Sequence, residues 1–370
     1  MSAPKPKGVD TVFLSLIVTL VTVGFLIFSS ASLGLLARDG ASFSSVAFSQ
    51  FVFGIIGGGT AMFILSNVHY RHWRKYAIYI FIVGLIGTLA VFIPGIGMTH
   101  AGATRWINLG FTTIQPSEFL KIAYVIYLAT WLSGMHKHVG NWKYGLVPFG
   151  LISGVTGFVM LLQPDTDTFL IMATAGLAMF VVAGARIRDL LILLVAGILL
   201  LASVALARPY VMDRLTTFLD PTADPLGSGS QIKQSLIAVG SGGITGRGYG
   251  QSIQKFEYLP EPIGDSIFAV YSEEFGFLGV LFILSLFATF ALRGFIIAQQ
   301  AADMFGVLLV VGIITVIMAQ AFLNIGAMMA VAPLSGLPLP FISHGGTALL
   351  VTLAAMGIIL NVSKYQTGRR

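Results

Sequence analysis

No cysteine occurs among the 370 residues, which excludes a disulfide framework, a thiol nucleophile and a cysteine-built metal centre. Charge is scarce as well: 10% of residues are Asp, Glu, Lys or Arg, against about 25% in soluble domains. So few charged groups cannot cover a water-facing surface, and a soluble globular protein is excluded. There is no Gly-Lys-Ser or Gly-Lys-Thr phosphate loop, and the close pair His136 and His138 falls in a connecting segment without helical metal-site spacing. What fills the chain is apolar: 56% hydrophobic residues, with 28 Phe and 43 Gly, and a mean hydropathy of +0.89. Most of the surface must face lipid, and the expected fold class is an all-α polytopic membrane protein.

Ten apolar runs approach the length of about 20 residues that a bilayer core requires. They are Val12 to Leu35, Phe48 to Leu65, Ala77 to Ile93, Phe119 to Leu132, Leu146 to Leu162, Phe169 to Ala183, Leu190 to Ala207, Phe277 to Leu292, Phe305 to Leu323, and Thr347 to Leu360. Alternating the loops places thirteen cations on one side: Lys5, Lys7, Arg71, Arg74, Lys75, Lys137, Lys143, Arg186, Arg188, Arg293, Lys364, Arg369 and Arg370. The short loops opposite hold only Arg38 and Arg105. Cytoplasmic loops are the ones enriched in Lys and Arg, so both termini are expected inside, with the segment from Arg208 to Gly264 outside between helices 7 and 8. The net charge of +6 then reflects orientation in a membrane, and nucleic acid is not implied. The chain reads as a single transmembrane domain, residues 1–370, without an internal repeat. Its first apolar run, behind Lys5 and Lys7 and ending near Ser30, Ala31 and Ser32, is too long for a cleavable leader and is read as a retained helix.

The outside segment carries Leu215, Phe218, Leu236, Ile237, Phe256 and Tyr258, enough apolar surface to dock on the rest of the domain. Its glycines, Gly240, Gly242, Gly243, Gly246, Gly248 and Gly250, read as a compact turn-rich loop.

Ionisable groups in or near a bilayer are costly and are the first functional candidates. Glu118 falls in the first turn of a helix begun by Pro116, and Lys121 lies one turn deeper on the same face. The two form either an internal salt bridge or a site for an anionic group. Arg105 beside Trp106 either anchors the interface or offers its guanidinium fork to a phosphate. Asp165 and Asp167, following Gln163 and Pro164, cap a helix or bind a divalent cation. Asp265, after Tyr258 to Gly264 and before an apolar helix, is either an N-cap or a carboxylate raised by apolar surroundings towards the pKa of a working base. The stretch from Pro333 to Gly346, rich in proline and glycine, is either a connector or a re-entrant segment buried in protein.

Taken in order, these segments resemble the FtsW/RodA family, also called the SEDS proteins, across nearly the whole chain. The likeness rests on Arg105 and Trp106 with Gln115, Pro116, Ser117, Glu118 and Lys121; on Gln163 to Asp165; on Arg214, Leu215, Asp220, Pro221, Gln234 and Ser235 with Gly240 to Gly243; on Leu259, Pro260, Glu261 and Asp265; on Glu273 and Glu274; and on Gly336 to Phe341 with Gly345 and Gly346. It implies ten spans and a peptidoglycan glycosyltransferase that polymerises lipid II at the outer face of the bacterial cytoplasmic membrane, with Asp265 the essential acid. Residues 254–261 look more like the division paralogue FtsW than the elongation paralogue RodA, which implies work at the septum. A class B penicillin-binding protein is the implied transpeptidase partner, among divisome or elongasome membrane proteins. On this reading Asp265 is the general base. Arg105 and Lys121 meet the leaving pyrophosphate, Arg247 and Lys255 are further cations, and Glu118 and Glu261 complete the substrate-binding set. No metal-ligand set is assigned, although a divalent cation such as Mg would serve the same electrostatic end. Pro262, Ile263 and Gly264, Thr104, Ser230 and His344 depart from the usual family pattern. The rival expectations are a lipid II flippase, which predicts ionisable groups at the midplane and often inverted repeats, and an inactive scaffold for a transpeptidase.

Overall fold

Backbone groups within hydrocarbon must find their hydrogen bonds inside their own segment, and the apolar runs accordingly fold as helices. The computed structural model describes residues 8–38, 40–100, 103–108, 112–221, 224 and 227–366. Its helices are α1 (Thr11–Arg38), α2 (Gly40–Phe48), α3 (Gly58–Asn67), α4 (Arg71–Leu89), α5 (Pro116–Met135), α6 (Leu146–Leu162), α7 (Thr166–Val182), α8 (Ile187–Ala207), α9 (Pro209–Leu219), α10 (Ser228–Ser241), α11 (Gln254–Glu257), α12 (Ile267–Gln300), α13 (Met304–Met328) and α14 (Gly346–Ser363). A π-helical stretch, Ser49–Gly57, joins α2 to α3. Seven helical stretches are long and apolar enough to cross a membrane, and α6 and α7 are shorter apolar helices. Each predicted apolar run overlaps one of the helices. The chain is thus a helical, multi-pass membrane protein.

Two expectations are corrected. The fold is not wholly α, because β1 (Gly97–His100), β2 (Ala103–Asn108) and β3 (Thr113–Ile114) form a three-stranded antiparallel sheet in the order β1-β2-β3. Thr99, Thr104, Arg105 and Asn108 make this stretch too polar for a helix in lipid, and pairing with neighbouring strands satisfies its backbone instead. The long loop expected from Arg208 to Gly264 is also partly helical, since it contains α9, α10 and α11, while residues 242–250 keep the turn-rich form read from their glycines. In α9, Pro209 starts the helix and Val211, Leu215 and Phe218 recur at helical spacing, which makes it amphipathic.

Buried on nearly all faces, α13 is the central helix: Leu308, Leu309, Val310, Ile313, Ile314 and Ile317 are all enclosed. It packs against α12, α7 and α5, as expected of a helix that is apolar all round. The first apolar run is integral to the bundle. The Phe13 ring stacks on Phe290 at 5.1 Å, and Gly24 sits so close to Phe341 O that a side chain there would collide with it.

Polar side chains gather at the two ends of the bundle. At one end Arg293 pairs with Asp10 at 2.6 Å, Arg71 with Asp303 at 2.8 Å, and Lys364 donates to Asn67. Among the cations that set the expected orientation, Lys5, Lys7, Arg369 and Arg370 lie outside the described residues, as do Gly102 and Leu109. At the other end lie the sheet, the α6–α7 turn, α9 to α11 and the start of α12. Large apolar side chains on α4, α6 and α8 remain exposed, including Tyr79, Val83, Phe158 and Leu199, which suits a lipid-facing surface. Between the last turns of α6 and α8 lies a cavity of about 370 Å³, lined by Phe158, Leu161, Leu162, Ser203, Val204, Ala207 and Arg208.

The glycine-rich segment has a specific structural task. Gly276 adopts φ 62° and ψ −161° and interrupts α12, freeing backbone groups on either side. Residues 243–248 dock into the break and satisfy them. Phe277 N donates to Gly243 O at 2.9 Å and Leu278 N to Ile244 O at 3.1 Å, while Arg247 N and Gly248 N donate to Glu273 O and Glu274 O at 3.0 and 2.9 Å. Gly246 and Gly248 take positive φ values of 81° and 107° to make the approach.

Candidate active site

Asp265 stands immediately before α12, whose N-cap is Ser266 and not Asp265. The capping alternative is therefore set aside. The half-buried carboxyl accepts from Ser266 Oγ at 3.5 Å, and Ser266 Oγ accepts in turn from Gln231 Nε2 at 3.1 Å. Burial, reinforced by the like charge of Glu261, outweighs these and pushes the group up to about 6. Glu261 itself is exposed and held at φ 47°.

Three consecutive carbonyls of the Asp265 loop are gripped from outside it. Ile263 O accepts from His344 N at 2.7 Å, Gly264 O from Ser343 Oγ at 2.6 Å, and Asp265 O from Asn324 Nδ2 at 2.8 Å. Two of the donors come from residues 333–345, an irregular and largely buried stretch. The structure thus favours the buried-segment reading over a mere connector. Lacking helix or sheet partners, that stretch is satisfied by buried carboxamides. Gln50, on the π-helical stretch, accepts from Gly345 N at 3.0 Å and donates to Ser343 O at 3.3 Å. Gln320 donates to Pro338 O, and Asn324 to Leu337 O, each at 2.8 Å.

The same Gln320 reaches the second candidate group. Lys121 Nζ donates to Gln320 Oε1 at 2.7 Å and pairs with Glu118 Oε1 at 2.8 Å, all three residues being buried. The internal salt bridge expected as one alternative is present. Glu118, Lys121, Gln320 and Pro340 line a cavity of about 10 Å³, roughly the room of one water.

Arg105 lies on the middle strand and reaches the α6–α7 turn, donating to Gln163 O and Pro164 O, with Asp165 Oδ1 3.9 Å away. Asp165 caps α7 by accepting from Thr168 N at 3.4 Å, as the capping alternative anticipated. Asp167 pairs with Arg214 of α9 at 2.6 Å. These contacts tie the sheet, the turn and the amphipathic α9 together.

A scan against family models matches residues 10–368 to the FtsW, RodA and SpoVE cell cycle proteins. The chain belongs to this SEDS family. It is 40% identical to the stage V sporulation protein E of Bacillus subtilis over 363 residues, covering 98% of each chain. It is 38% identical to a probable peptidoglycan glycosyltransferase FtsW of Geobacter metallireducens, covering 97% of this chain and 96% of that one. Among solved structures, a chain of a peptidoglycan synthase complex that coordinates polymerisation and crosslinking matches with a TM-score of 0.79 and 26% identity, covering 97% of this chain and 99% of that one. The rod shape determining protein RodA of Thermus thermophilus matches with a TM-score of 0.69 and 25% identity, covering 97% and 98%.

Within this SEDS fold, two of the expected cations are otherwise engaged. Lys255 is fully buried, with Nζ 2.7 Å from Glu274 Oε1 and 3.1 Å from Ser30 Oγ. Its charge is neutralised out of reach of a substrate, so the assignment to pyrophosphate binding is withdrawn for Lys255. Arg247 is partly exposed but pairs with Glu273 at 3.3 Å. Glu273 also accepts from Ser252 Oγ, Ile253 N and Gln254 N, so Arg247 belongs to the network that docks the loop on α12. Lys255→Met would strand Glu274 in the interior, and removing one partner of a buried pair costs about 3–5 kcal/mol. The single variant is expected to melt well below wild type in detergent, while the Lys255→Met/Glu274→Met double variant recovers much of the loss. Equal melting of wild type and Lys255→Met would contradict the structural role.

Gln231, Gln320, Asn324, Ser343 and Gln50 were not among the candidates from the sequence. The available signal was the pair Gln320 and Asn324, four residues apart on one face of an otherwise apolar helix.

Proposed function

We propose that this chain is a peptidoglycan glycosyltransferase that polymerises lipid II into glycan strands at the outer face of the bacterial cytoplasmic membrane. The observation that carries the reading is Asp265, a raised carboxylate on a loop pinned at three successive carbonyls, in a chain matched along its length by proteins named for this activity. Ten spans with both termini in the cytoplasm accord with the cation-bearing end formed by Arg71, Arg293 and Lys364. The Asp265 end then faces outwards. Relatives named FtsW and stage V sporulation protein E, at 38% and 40% identity over nearly the whole chain, support work at a septum.

The donor sugar is linked through pyrophosphate to a lipid. Asp265 accepts the proton of the attacking 4-hydroxyl of the next lipid II as that oxygen forms its bond to the anomeric carbon. The carbon–oxygen bond to pyrophosphate breaks and the configuration inverts, a single displacement that needs one base. Charge developing on the departing pyrophosphate must meet fixed cations. Lys121 and Arg105 fill that role, with Glu118 and Gln320 aiming Lys121 and Glu261 raising the base. Lys121 is buried and paired as Lys255 is, but it lines a cavity; that cavity is too small for a pyrophosphate, so this role requires the helices around it to part on binding. Among the described residues no three His, Asp or Glu converge as a metal-ligand set. No step is routed through a divalent ion.

The polymerase reading is favoured over a carrier because Asp265, Glu261, Arg105 and Arg214 all lie at one end of the bundle and no repeat is visible. A class B penicillin-binding protein is the proposed crosslinking partner, by likeness to the synthase complex. Purified lipid II incubated with the detergent-solubilised chain, alone and with that partner, is expected to yield glycan strands that vanish with Asp265→Ala. Folded protein that makes no strands in either condition, yet moves labelled lipid II across liposomes, would overturn the proposal.

A further inference from the structure

We infer that Asn324 is a positioning residue that sets Asp265 relative to Lys121 through one turn of α13. The inference rests on the reading of Asp265 as the base. Asn324 is fully buried and spends both hydrogens of its Nδ2, each at 2.8 Å, on two different segments: the carbonyl of Asp265 itself and that of Leu337. One turn earlier, Gln320 donates to the adjacent carbonyl, Pro338 O, and accepts from Lys121. Residues four apart on a helix share a face about 6 Å from one another along the axis. The base loop and the cation are therefore held by neighbouring carboxamides of a single rigid element, with the irregular stretch clamped between them.

Packing alone does not account for this arrangement. Pro338 and Pro340 carry no N–H, so this stretch cannot join a ladder and its carbonyls need outside donors. One donor per carbonyl would suffice for that. Asn324 reaches beyond this stretch to Asp265, and it does so with its own Oδ1 buried and without a partner, a feature that carries a free-energy cost. What Asn324 supplies is two donors pointing two ways. Of the charged side chains, Glu261 is the one that acts on the Asp265 carboxyl.

The test uses the full chain in detergent with lipid II, and reads kcat, KM and the pH dependence of the rate for Asn324→Ala and Asn324→Leu, the second being close to Asn in shape but devoid of donors. Both are expected to lower kcat by on the order of 10- to 100-fold, the scale of a misplacement near 1 Å, with KM for lipid II nearly unchanged. Both should move the acid limb of the profile to lower pH, as the released carboxyl becomes better solvated. Restoration of kcat by Leu would reduce Asn324 to a space-filler and overturn the inference, as would an unshifted acid limb. If both variants fail to fold, Ser343→Ala, which frees the adjacent Gly264 carbonyl, must lower kcat and shift the limb in the same direction; a wild-type profile there would overturn it. Asp265→Ala is run alongside. Full activity in that variant would remove the base reading and this inference together, whereas an inactive Asp265→Ala beside a fully active Asn324→Leu removes the inference alone.

Discussion

Asp265→Asn is expected to lower the polymerisation rate by about 10²- to 10⁴-fold, the usual contribution of a positioned general base. Asn keeps the shape of the side chain and leaves the carbonyl grip on the loop intact, so the loss should fall on kcat. In the wild type, activity should rise as pH climbs through about 6, where the carboxyl loses its proton, and that limb should be missing from whatever activity the variant retains. A second readout follows from linkage. The folded state holds this proton more tightly than the unfolded chain, whose ordinary value is 3.8. The stability contributed by Asp265 is complete below that value and is lost as pH rises through the folded value of about 6. Asn escapes the loss, so Asp265→Asn should melt above wild type near about pH 8, with the gap closing near about pH 4. A variant that polymerises at a rate near wild type would remove Asp265 from the chemistry, and a melting gap independent of pH would show that the carboxyl does not titrate as described.

Gly276→Ala should be among the most damaging single-methyl changes in the molecule. The backbone there, at φ 62° and ψ −161°, lies in a region essentially reserved for glycine, which costs other residues about 1–3 kcal/mol. An added Cβ would also strike Gly246 N and approach Ile244 O at 2.8 Å and Gly242 O at 2.9 Å, and such overpacking typically costs about 1–3 kcal/mol more. These contacts are backbone, so no side-chain rotation relieves them. Expelling residues 243–248 would leave the amides of Phe277 and Leu278 without these acceptors. Low yield in detergent, a sharply reduced melting temperature and protease cleavage within residues 242–250 are expected together. A melting temperature within about 2 °C of wild type, where a loss of about 1 kcal/mol already shifts larger domains by 2–4 °C, would show that the break in α12 does not depend on this glycine.

The helices were legible because their length answers to bilayer thickness and their composition to lipid, neither of which depends on tertiary contacts. Asp265, Glu118 and Lys121 were legible for the related reason that a charge in apolar surroundings stands out. Lys255 misled because its partner Glu274 lies 19 residues further along the chain, and no sequence pattern announces that the two meet in the interior. The strands were missed because a short polar stretch between spans carries too weak an alternation to separate it from a loop. The carboxamides that hold the site were hidden by their neutrality: Gln50, Gln320 and Asn324 add no charge to the runs that contain them, and their partners are backbone carbonyls or amides that no sequence pattern advertises.

That neutrality has a chemical consequence. An amide has no proton to gain or lose across the range in which cells live. The stretch from Leu337 to Gly345 has a single ionisable side chain, His344, and burial pushes it down to about 4, so it too stays uncharged in mildly acidic surroundings. Acid reaching the Asp265 end of the bundle therefore alters the charge of Asp265 while the carboxamide scaffold around it keeps the same hydrogen bonds, and neutral pH restores the carboxylate to the same loop.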